Sequence, residues 1–514
     1  MRHQNRRYFS LSEKVSIMVS VSISNLLYEL NNLKGKNLTL KELLDQSGLT
    51  FDSKNSNFIK EKANHKVSGI CRAGSRFSKD CICIQQYTDA PEMMEWAISN
   101  NALFTVSSFD IGIEKKNIQV HNPYEVWAKF CSVYRKKSKA SAIAITGSIG
   151  KTTAKQMMYA VFSQAYKTLC DFGNDNQIDG IGMVSQHIPS NTEKWIVEVS
   201  EDTKGIVKYV SEILTPEIVV ITSIDKSHIE EFDDEADIIR EVYSITSQMR
   251  QDGIIICSKD EPYVPIDGKK TILVSINSTD ADYYATNIII NREGLKFKVN
   301  IKQTSVCYDV QLNNIYAIHN IYPALFAFAA GVESKIPHNV ILQGLQSFRT
   351  TGIRQNIYKD KGVLVYADCY NAVAKSIKSA LDACCVIPIQ GKRIAVLGDV
   401  AECGAFSDSM HDEIIRMVDE STFDYLFIWG NNLQEASRRV SVRKSLNIRI
   451  FETRSNLNAE LKKLASKGDI VLFKASHSGR LDLTIKKVFP LGYYKNYLRY
   501  YWPQIKWRIK LLFN

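Results

Sequence analysis

One segment of the chain, residues 142–153, joins an apolar strand pattern to a glycine turn and the start of a helix. Residues 142–146 have the pattern of a buried strand. The turn that follows them holds Gly147, Ser148, Gly150, Lys151, Thr152 and Thr153. A phosphate-binding loop requires this strand–loop–helix context, because backbone N–H groups at the start of the helix point at the anion. The segment therefore favours a nucleotide-binding α/β domain.

The residues of this loop have separate expected tasks. Gly147 and Gly150 let the backbone approach an anion closely. Lys151 is expected to reach the β- and γ-phosphates, and the Thr152 hydroxyl is expected to ligate Mg²⁺. The spacing departs from that of the common P-loop, whose first glycine is replaced here by Ile145. A glycine turn with a chance lysine is the alternative, and the succession of strand, loop and helix disfavours it.

Two polar residues at later strand ends fit the same site. Glu198 lies inside an apolar strand pattern, where a carboxylate is costly unless it is paired or binds metal. His228 follows the next strand pattern by a few residues, at the edge of the sheet where α/β sites form. Taken alone, His228 is more typical of a surface or helix-capping histidine.

The whole chain of 514 residues alternates apolar β-branched runs with amphipathic stretches, which is typical of α/β proteins. We expect three domains: a smaller N-terminal α/β domain (1–138), a central P-loop domain with a parallel sheet (139–348) and a C-terminal Rossmann-like α/β domain (349–514). In the central domain the patterns predict strands at 142–146, 195–199, 217–222 and 253–257, and helices at 153–163 and 234–249. In the third domain they predict strands at 363–367, 393–397, 425–429 and 469–474, and helices at 374–384 and 409–418.

Charge and cysteine content exclude several classes. The net charge is +10, but residues 1–14 carry +3 and residues 486–514 carry +7, so the body is neutral and is not a nucleic-acid surface. Eleven scattered cysteines without a C-x-x-C pair indicate reduced thiols in a cytoplasmic protein. No apolar run reaches the ~20 residues of a transmembrane helix. We do not expect a signal peptide, because Glu13 and Lys14 separate the basic start from the apolar residues and no A-x-A cleavage site follows.

The C-terminal segment 493–514 mixes eight aromatic residues with five cations. A docked helix and strand with snorkelling lysines is one interpretation. Peripheral contact with an anionic membrane is the second, and base stacking is a weaker third.

Taken together, these elements resemble the Mur ligase family, over roughly residues 38–482. The branch that adds D-alanyl-D-alanine to the UDP-N-acetylmuramoyl-tripeptide is the most similar, although this chain diverges from it. The resemblance implies ATP and Mg²⁺ as cofactors, with Lys151, Glu198 and His228 in catalysis and Thr152, Glu198 and His228 as metal ligands. It implies nucleotide contacts from the phosphate loop and from His319, Asn320, Arg354 and Asp368. It implies substrate contacts from Ser75, Arg76, Asn174, Asn176, Tyr370, Asn371 and Lys474.

Several positions depart from the family pattern. Val242 stands where the family usually places a carbamylated lysine, so a second Mg²⁺ lacks one ligand unless Glu241 or another acid replaces it. Gln177 replaces an asparagine of the substrate-contacting segment, and the glycine-rich uridine-contacting segment is absent. These changes suggest that the ATP chemistry is kept while the substrate has changed.

The expected function is therefore ATP-dependent amide bond formation through an acyl-phosphate. The acceptor is expected to be a carboxylated, nucleotide-linked saccharide of cell-wall or cell-surface glycan synthesis, and the donor an amino acid or dipeptide. The protein is expected to be a monomer. A nucleotide-binding scaffold with little turnover is the alternative, and the third domain disfavours a P-loop ATPase of transport or signalling.

Overall fold

The computed structural model describes residues 38–494, apart from 52, 74–78, 88, 112–115, 171–175, 225–231, 233, 292, 351 and 402. Four residues predicted for the site, Ser75, Arg76, Asn174 and His228, lie outside the described residues. The basic segment 1–37 and residues 495–514 of the tail also lie outside them. Within the described part of the chain, no helix has the length and apolar character needed to cross a membrane.

The first domain is built on a small parallel sheet in the order β3-β4-β5-β6. Thr39 and Glu42 form a capping box that starts helix α1. The elements are β1 (Leu38–Thr39), α1 (Leu40–Ser47), α2 (Ser53–Lys62), β2 (Lys66–Val67), β3 (Ile70–Arg72), β4 (Ile82–Ile84), α3 (Pro91–Ser99), β5 (Phe104–Ser107), β6 (Asn117–Gln119) and α4 (Pro123–Arg135).

The central domain carries a large sheet in the order β15-β14-β13-β12-β11-β10-β7-β9-β8 among the described residues. Strands β7 to β13 pair in parallel, and β13, β14 and β15 form an antiparallel extension. The strands are β7 (Ser141–Thr146), β8 (Thr168–Cys170), β9 (Lys194–Glu198), β10 (Ile218–Ile221), β11 (Ile254–Ser258), β12 (Lys270–Ser275), β13 (Tyr283–Asn291), β14 (Gly294–Ile301) and β15 (Val306–Asn313). The α-helices are α5 (Lys151–Phe162), α6 (Ile178–Ser185), α7 (Val207–Leu214), α8 (Glu235–Tyr243), α9 (Ile321–Glu333) and α10 (His338–Ser347).

The third domain has a sheet in the order β16-β17-β21-β18-β19-β20, with only the edge strand β16 antiparallel among its described strands. Its strands are β16 (Asn356–Asp360), β17 (Val363–Asp368), β18 (Arg393–Gly398), β19 (Tyr425–Trp429), β20 (Asn447–Ile450) and β21 (Ile470–Lys474). Its α-helices are α11 (Ala374–Val386), α12 (Ser407–Asp419), α13 (Asn431–Arg439), α14 (Arg454–Leu464) and α15 (Leu481–Val488). Tyr493, at the start of the tail, is buried in this domain's core.

The predicted α/β class is confirmed, and the predicted strands agree with the structure to within one or two residues. The helix predicted at 234–249 is too long, because α8 ends at Tyr243 and a short 3-10 turn follows. There the hydroxyls of Ser244 and Thr246 donate to the carbonyls of Glu241 and Tyr243, which competes with helical hydrogen bonding. The proposed boundaries near 138 and 348 fall in the connections after α4 and α10, and we keep them as a proposal.

The first domain packs directly on helix α6 of the central domain. Gln186, which follows α6, accepts a hydrogen bond from the N–H of Ile70 and donates one to its carbonyl. Trp127 of α4 donates to the carbonyl of Ile178, and its ring leaves no room for a side chain at Gly182. The ends of α4 and β3 are thereby fixed beside the carboxyl edge of the large sheet, where the predicted site lies.

Candidate active site

The phosphate loop leaves the carboxyl end of β7 between strands β9 and β10. Gly147 has a φ of 115° and lies so close to Thr222 that an added Cβ would be 2.5 Å from its hydroxyl oxygen. Gly150, with a φ of 91°, caps α5 without a side-chain hydrogen bond. The first N–H groups of α5, including those of Thr152 and Thr153, therefore have no intrahelical acceptor and are available to an anion. Ser148, by contrast, donates its N–H to the carbonyl of Ser223.

Lys151 is held against the loop by a buried carboxylate. Its Nζ donates to the Gly147 carbonyl and lies 2.7 Å from Oε2 of Glu201. Glu201 is 1% exposed, and its other oxygen has no hydrogen-bond partner among the described residues. The ammonium group is thus positioned at the loop and is paired with an acid that a phosphate group would have to replace or join.

Glu198 is the centre of a second buried cluster at the end of β9. Its Oε1 accepts hydrogen bonds from the Thr152 hydroxyl and from Nδ2 of Asn176, each at 3.1 Å. Its Oε2 lies 2.9 Å from Nζ of Lys155, which stands one turn after Lys151 on α5. Lys155 is 1% exposed and Glu198 is 2% exposed. A single helix turn therefore presents two lysines to two buried acids.

The charge of Glu198 is fixed by its neighbours. Burial alone raises the pKa of this carboxyl, but the cations of Lys155, Arg354 and Lys151 outweigh burial and lower the pKa to about 2. Glu198 is therefore ionised at any physiological pH. Arg354, which lies just before the first strand of the third domain, is therefore near enough to Glu198 to lower the pKa of this carboxyl.

A second network joins the central and third domains. Asn320 donates through Nδ2 to Oε1 of Gln355, and Nε2 of Gln355 lies 2.9 Å from Nε2 of His319. Burial lowers the pKa of His319 to about 4, so this ring is neutral. Because an amide NH₂ can only donate, Nε2 of His319 is the acceptor, and Nδ1 carries the proton toward Ser379. Oδ1 of Asn320 is buried and has no hydrogen-bond partner among the described residues.

The same network continues into the end of β17. Asp368 accepts the backbone N–H of Gln355 through Oδ1 and lies 2.9 Å from Nζ of Lys474 through Oδ2. Lys474 also donates to the carbonyl of Asn371 at 2.6 Å. Nearby, the guanidinium carbon of Arg354 lies 3.5 Å from the ring centroid of Tyr370, in cation–π contact.

A cavity of about 440 Å³ opens between the first and central domains. The first and central domains both contribute to its walls, which are formed by Gln85, Tyr87, Ser108, His121, Asn122, Pro123, Tyr124, Thr203, Lys204, Gly205, Ile206, Lys208 and Tyr209. At its edge the hydroxyl of Tyr87 donates to Oε1 of Gln177, whose Nε2 donates to Asp202. Gln177 directly follows Asn176, which contacts Glu198, so the cavity and the phosphate side are linked by consecutive residues.

The structure brings most of the predicted residues into two groups. Around the phosphate loop lie Gly147, Ser148, Gly150, Lys151, Thr152, Thr153, Asn176 and Glu198. At the domain junction lie His319, Asn320, Arg354, Asp368, Tyr370, Asn371 and Lys474. The sequence analysis missed four residues of these networks, which are Lys155, Glu201, Gln355 and Ser379. Lys155 was detectable from its i, i+4 spacing to Lys151, whereas nothing in the sequence marked Glu201 or Gln355.

Val242 and its neighbour Glu241 stand where the family usually places a carbamylated lysine. Val242 is fully buried in the apolar core, so it offers no ligand. Both oxygens of Glu241 accept backbone N–H groups at the start of α7, from Gly205 and Val207, each at 2.7 Å. The structure therefore argues against Glu241 as the replacement ligand, because releasing it would leave these donors unpaired.

The donor set of the phosphate loop fits one Mg²⁺. The Thr152 hydroxyl and Oε1 of Glu198 are 3.1 Å apart, and oxygen atoms of these two kinds are ligands that Mg²⁺ prefers. The buried oxygen of Glu201 that lacks a hydrogen bond adds an acceptor nearby. The residues present thus fit the ion expected with ATP.

Comparisons with known proteins agree with this geometry. The Mur ligase middle domain family matches residues 145–331, and the family described as Mur ligase, glutamate ligase domain matches residues 353–477. A UDP-N-acetylmuramoyl-tripeptide–D-alanyl-D-alanine ligase of Bacillus subtilis is 28% identical over 360 residues, which cover 70% of this chain and 78% of the relative. The Escherichia coli protein of the same name is 25% identical over 478 residues, which cover 91% and 98%.

A solved structure gives the same result. MurF from Acinetobacter baumannii superimposes with a TM-score of 0.74 at 20% identity, covering 88% of this chain and 99% of that chain. The two domain families together match more than half of the chain, and the central sheet carries the expected phosphate loop. The chain therefore belongs to the Mur ligase family of ATP- and Mg²⁺-dependent ligases, which join an acid to an amino acid.

Proposed function

We propose that this enzyme joins a D-alanyl-D-alanine dipeptide, or a closely related amino acid, to the carboxylate of a nucleotide-linked muramoyl peptide in the synthesis of peptidoglycan or a related surface glycan. One observation carries this proposal: the buried Glu198 cluster of the phosphate loop is connected, through the consecutive residues Asn176 and Gln177, to a cavity between the first and central domains. The relatives named above, which are called UDP-N-acetylmuramoyl-tripeptide–D-alanyl-D-alanine ligases, support the substrate class.

The proposed reaction has two steps. A carboxylate oxygen of the acceptor attacks the γ-phosphorus of ATP, ADP leaves, and an acyl-phosphate forms. The donor amine then attacks the acyl carbon, inorganic phosphate leaves, and the amide remains. Neither step needs an enzyme nucleophile, so positioning and charge neutralisation supply most of the catalysis.

The residues of the loop divide this work. The open N–H groups of α5 and the ammonium of Lys151 hold the phosphates, and Lys151 moves from Glu201 to the γ-phosphate. Thr152 and Glu198 would hold Mg²⁺, which neutralises phosphate charge when bound. Lys155 keeps Glu198 ionised and in place. Oδ1 of Asn320 offers an unpaired acceptor that suits the amino group of an adenine.

The cavity suits the acceptor. Tyr87, Tyr124 and Tyr209 offer aromatic and hydroxyl contacts, and Lys204 and Lys208 add positive charge for phosphate or carboxylate groups. The eleven free cysteines suit the reducing cytosol, and we therefore retain a cytoplasmic location. A monomer and a membrane-touching tail remain predictions.

A scaffold with little turnover is the second candidate. It is favoured by the buried Val242 and the fully occupied Glu241, which leave the second metal of the family without a described ligand at this point.

Phosphate release from ATP and Mg²⁺ separates the two candidates. The assay is run with a panel of UDP-muramoyl peptides and other carboxylated sugars, each with and without D-alanyl-D-alanine or single amino acids. For a ligase, release requires both substrates, and mass spectrometry shows a product equal to their sum minus water. Lys151→Ala lowers release about 100-fold or more, whereas the exposed control Lys463→Ala does not. ATP binding without release over the whole panel would favour the scaffold.

A further inference from the structure

Three cysteines of the first domain converge on one face of its sheet. Cys71 in β3 and Cys83 in β4 are direct neighbours in the parallel register. Cys81 precedes Cys83 by two residues, and alternation along the chain places it on the same face. The face is opposite to the one that carries Ile82 and Ile84 into the main core of this domain.

The three sulfur atoms are close together. Sγ of Cys71 lies 2.9 Å from that of Cys83 and 3.1 Å from that of Cys81, and the remaining separation is 3.6 Å. A tetrahedral metal with metal–sulfur bonds of about 2.3 Å requires sulfur–sulfur edges of about 3.8 Å. Each observed sulfur–sulfur distance is therefore shorter than this edge by about 1 Å or less. Small rotations of the cysteine side chains would bring the sulfur atoms to the required separation.

The cluster is dry and sulfur-rich. The three cysteines are at most 3% exposed, and the small side chains of Ala97 and Ala102 complete the cluster. Met183 of α6 packs against it from the central domain and brings a thioether. Thiolate and thioether ligands together select soft ions such as Zn²⁺ and Cu⁺ rather than Mg²⁺.

Binding of a cation to these three cysteines is expected to depend on pH. Burial raises the pKa of Cys71 and Cys83. Because a cysteine binds a metal ion as a thiolate, binding is expected to release protons and to strengthen as pH rises.

We propose that Cys71, Cys81 and Cys83 form a binding site for a thiophilic closed-shell metal ion, with Met183 beside the open coordination position. Zn²⁺ and Cu⁺ share this ligand chemistry. With three thiolates Zn²⁺ leaves a net charge of −1 and Cu⁺ leaves −2. Because a buried net charge is costly, the site favours Zn²⁺.

The site has a structural role that is independent of the proposed reaction. It ties β3 to β4, and the residues that flank Cys71 hold the first domain on the central domain. Ile70 exchanges two hydrogen bonds with Gln186, and Arg72 lies 3.6 Å from Asp179 of α6. Removing the ion is therefore expected to lower the thermal midpoint of the wild-type chain.

The test uses the full chain produced in medium supplemented with zinc, or with copper under reducing conditions. Elemental analysis after gel filtration is expected to find one ion per wild-type chain. The ion is expected to be lost in the triple variant Cys71→Ala/Cys81→Ala/Cys83→Ala and retained in Cys131→Ala/Cys384→Ala, which removes buried cysteines elsewhere. A chelator should lower the thermal midpoint of the wild type but not that of the triple variant.

X-ray absorption at the metal edge of the wild-type protein gives a result that does not depend on a folded variant. We expect a first shell of sulfur at about 2.3 Å. Retention of either ion in the wild type supports the site, and their relative occupancy identifies the preferred ion. A shell of nitrogen and oxygen, metal retained by the triple variant, a wild type without metal, or a disulfide among the three cysteines in the native protein would each overturn the proposal.

Discussion

The phosphate loop and the cavity beside it are built in opposite ways. Around the loop, two buried ion pairs, Lys151–Glu201 and Lys155–Glu198, are positioned by one helix and the end of one strand. The cavity is lined by two domains, and its walls meet through single hydrogen bonds such as that from Tyr87 to Gln177. Phosphoryl transfer needs fixed charges, whereas an acceptor can be selected by contacts that the two domains adjust independently.

This difference separates two kinds of mutational effect. Charges buried at the loop contribute to folding as well as catalysis, because a single partner cannot be removed without leaving the other unpaired. Side chains of the cavity are partly exposed and are expected to affect substrate affinity with little cost to folding.

Lys155→Met is expected to have the largest effect. It leaves the carboxylate of Glu198 buried without its nearest cation, and we expect the free energy of unfolding to fall by about 3–5 kcal/mol, together with loss of ligase activity. Urea unfolding of the variant and the wild type measures the change.

The double variant Lys155→Met/Glu198→Gln is the control for this interpretation. It removes both charges, so it should recover part of the lost stability but none of the activity. A Lys155→Met variant as stable as the wild type would show that the pair does not stabilise the loop.

Acidic pH should remove the contribution of the ionised Glu198 carboxylate to the free energy of unfolding. Its pKa falls from the usual 4.5 to about 2 on folding, so the ionised group stabilises the protein above pH 4.5 and loses this effect as pH falls through about 2. The difference in unfolding free energy between wild type and Glu198→Gln, without nucleotide or Mg²⁺, should shrink by about 3 kcal/mol between pH 5 and pH 2. A difference independent of pH would contradict the assigned pairing.

The fold class and the phosphate loop could be predicted from the sequence because both depend on local patterns. The alternation of buried strands and amphipathic helices predicted the ends of β7, β9 and β10 to within two residues. Because parallel strands bring their carboxyl ends to the same edge of a sheet, residues at these ends lie close together. Lys151, Thr152 and Glu198 could therefore be assigned to one site from the sequence alone.

The partners of these residues could not be predicted in the same way. Glu201 reaches Lys151 from beyond the end of β9, and Gln355 links Asn320 to Asp368 across a domain junction. Such contacts depend on loop paths and on the docking of domains, which hydrophobic periodicity does not encode. The cysteine cluster likewise depends on the pairing register of β3 and β4.

Glu201→Gln should strengthen nucleotide binding. Glu201 holds the ammonium of Lys151 in the present structure, and an uncharged amide holds it less firmly and repels phosphate less. A charge-assisted hydrogen bond exceeds a neutral one by about 1 kcal/mol, so we expect Kd for ATP to fall about fivefold in calorimetry. Weaker ATP binding by this variant would instead indicate that Glu201 positions Lys151 for the nucleotide.

Tyr87→Phe should have an effect as small as that of Glu201→Gln, but confined to the acceptor. It removes the hydroxyl that donates to Gln177 while keeping the aromatic ring, so about 1 kcal/mol of positioning is lost. We expect KM for the acceptor to rise about fivefold, with KM for ATP and the thermal midpoint unchanged. Tyr425→Phe, in the third domain, is the matched control and should change neither KM value. An increase in KM for ATP alone would show that Tyr87 acts on the phosphate side, and the cavity would then belong to the nucleotide site rather than to the acceptor.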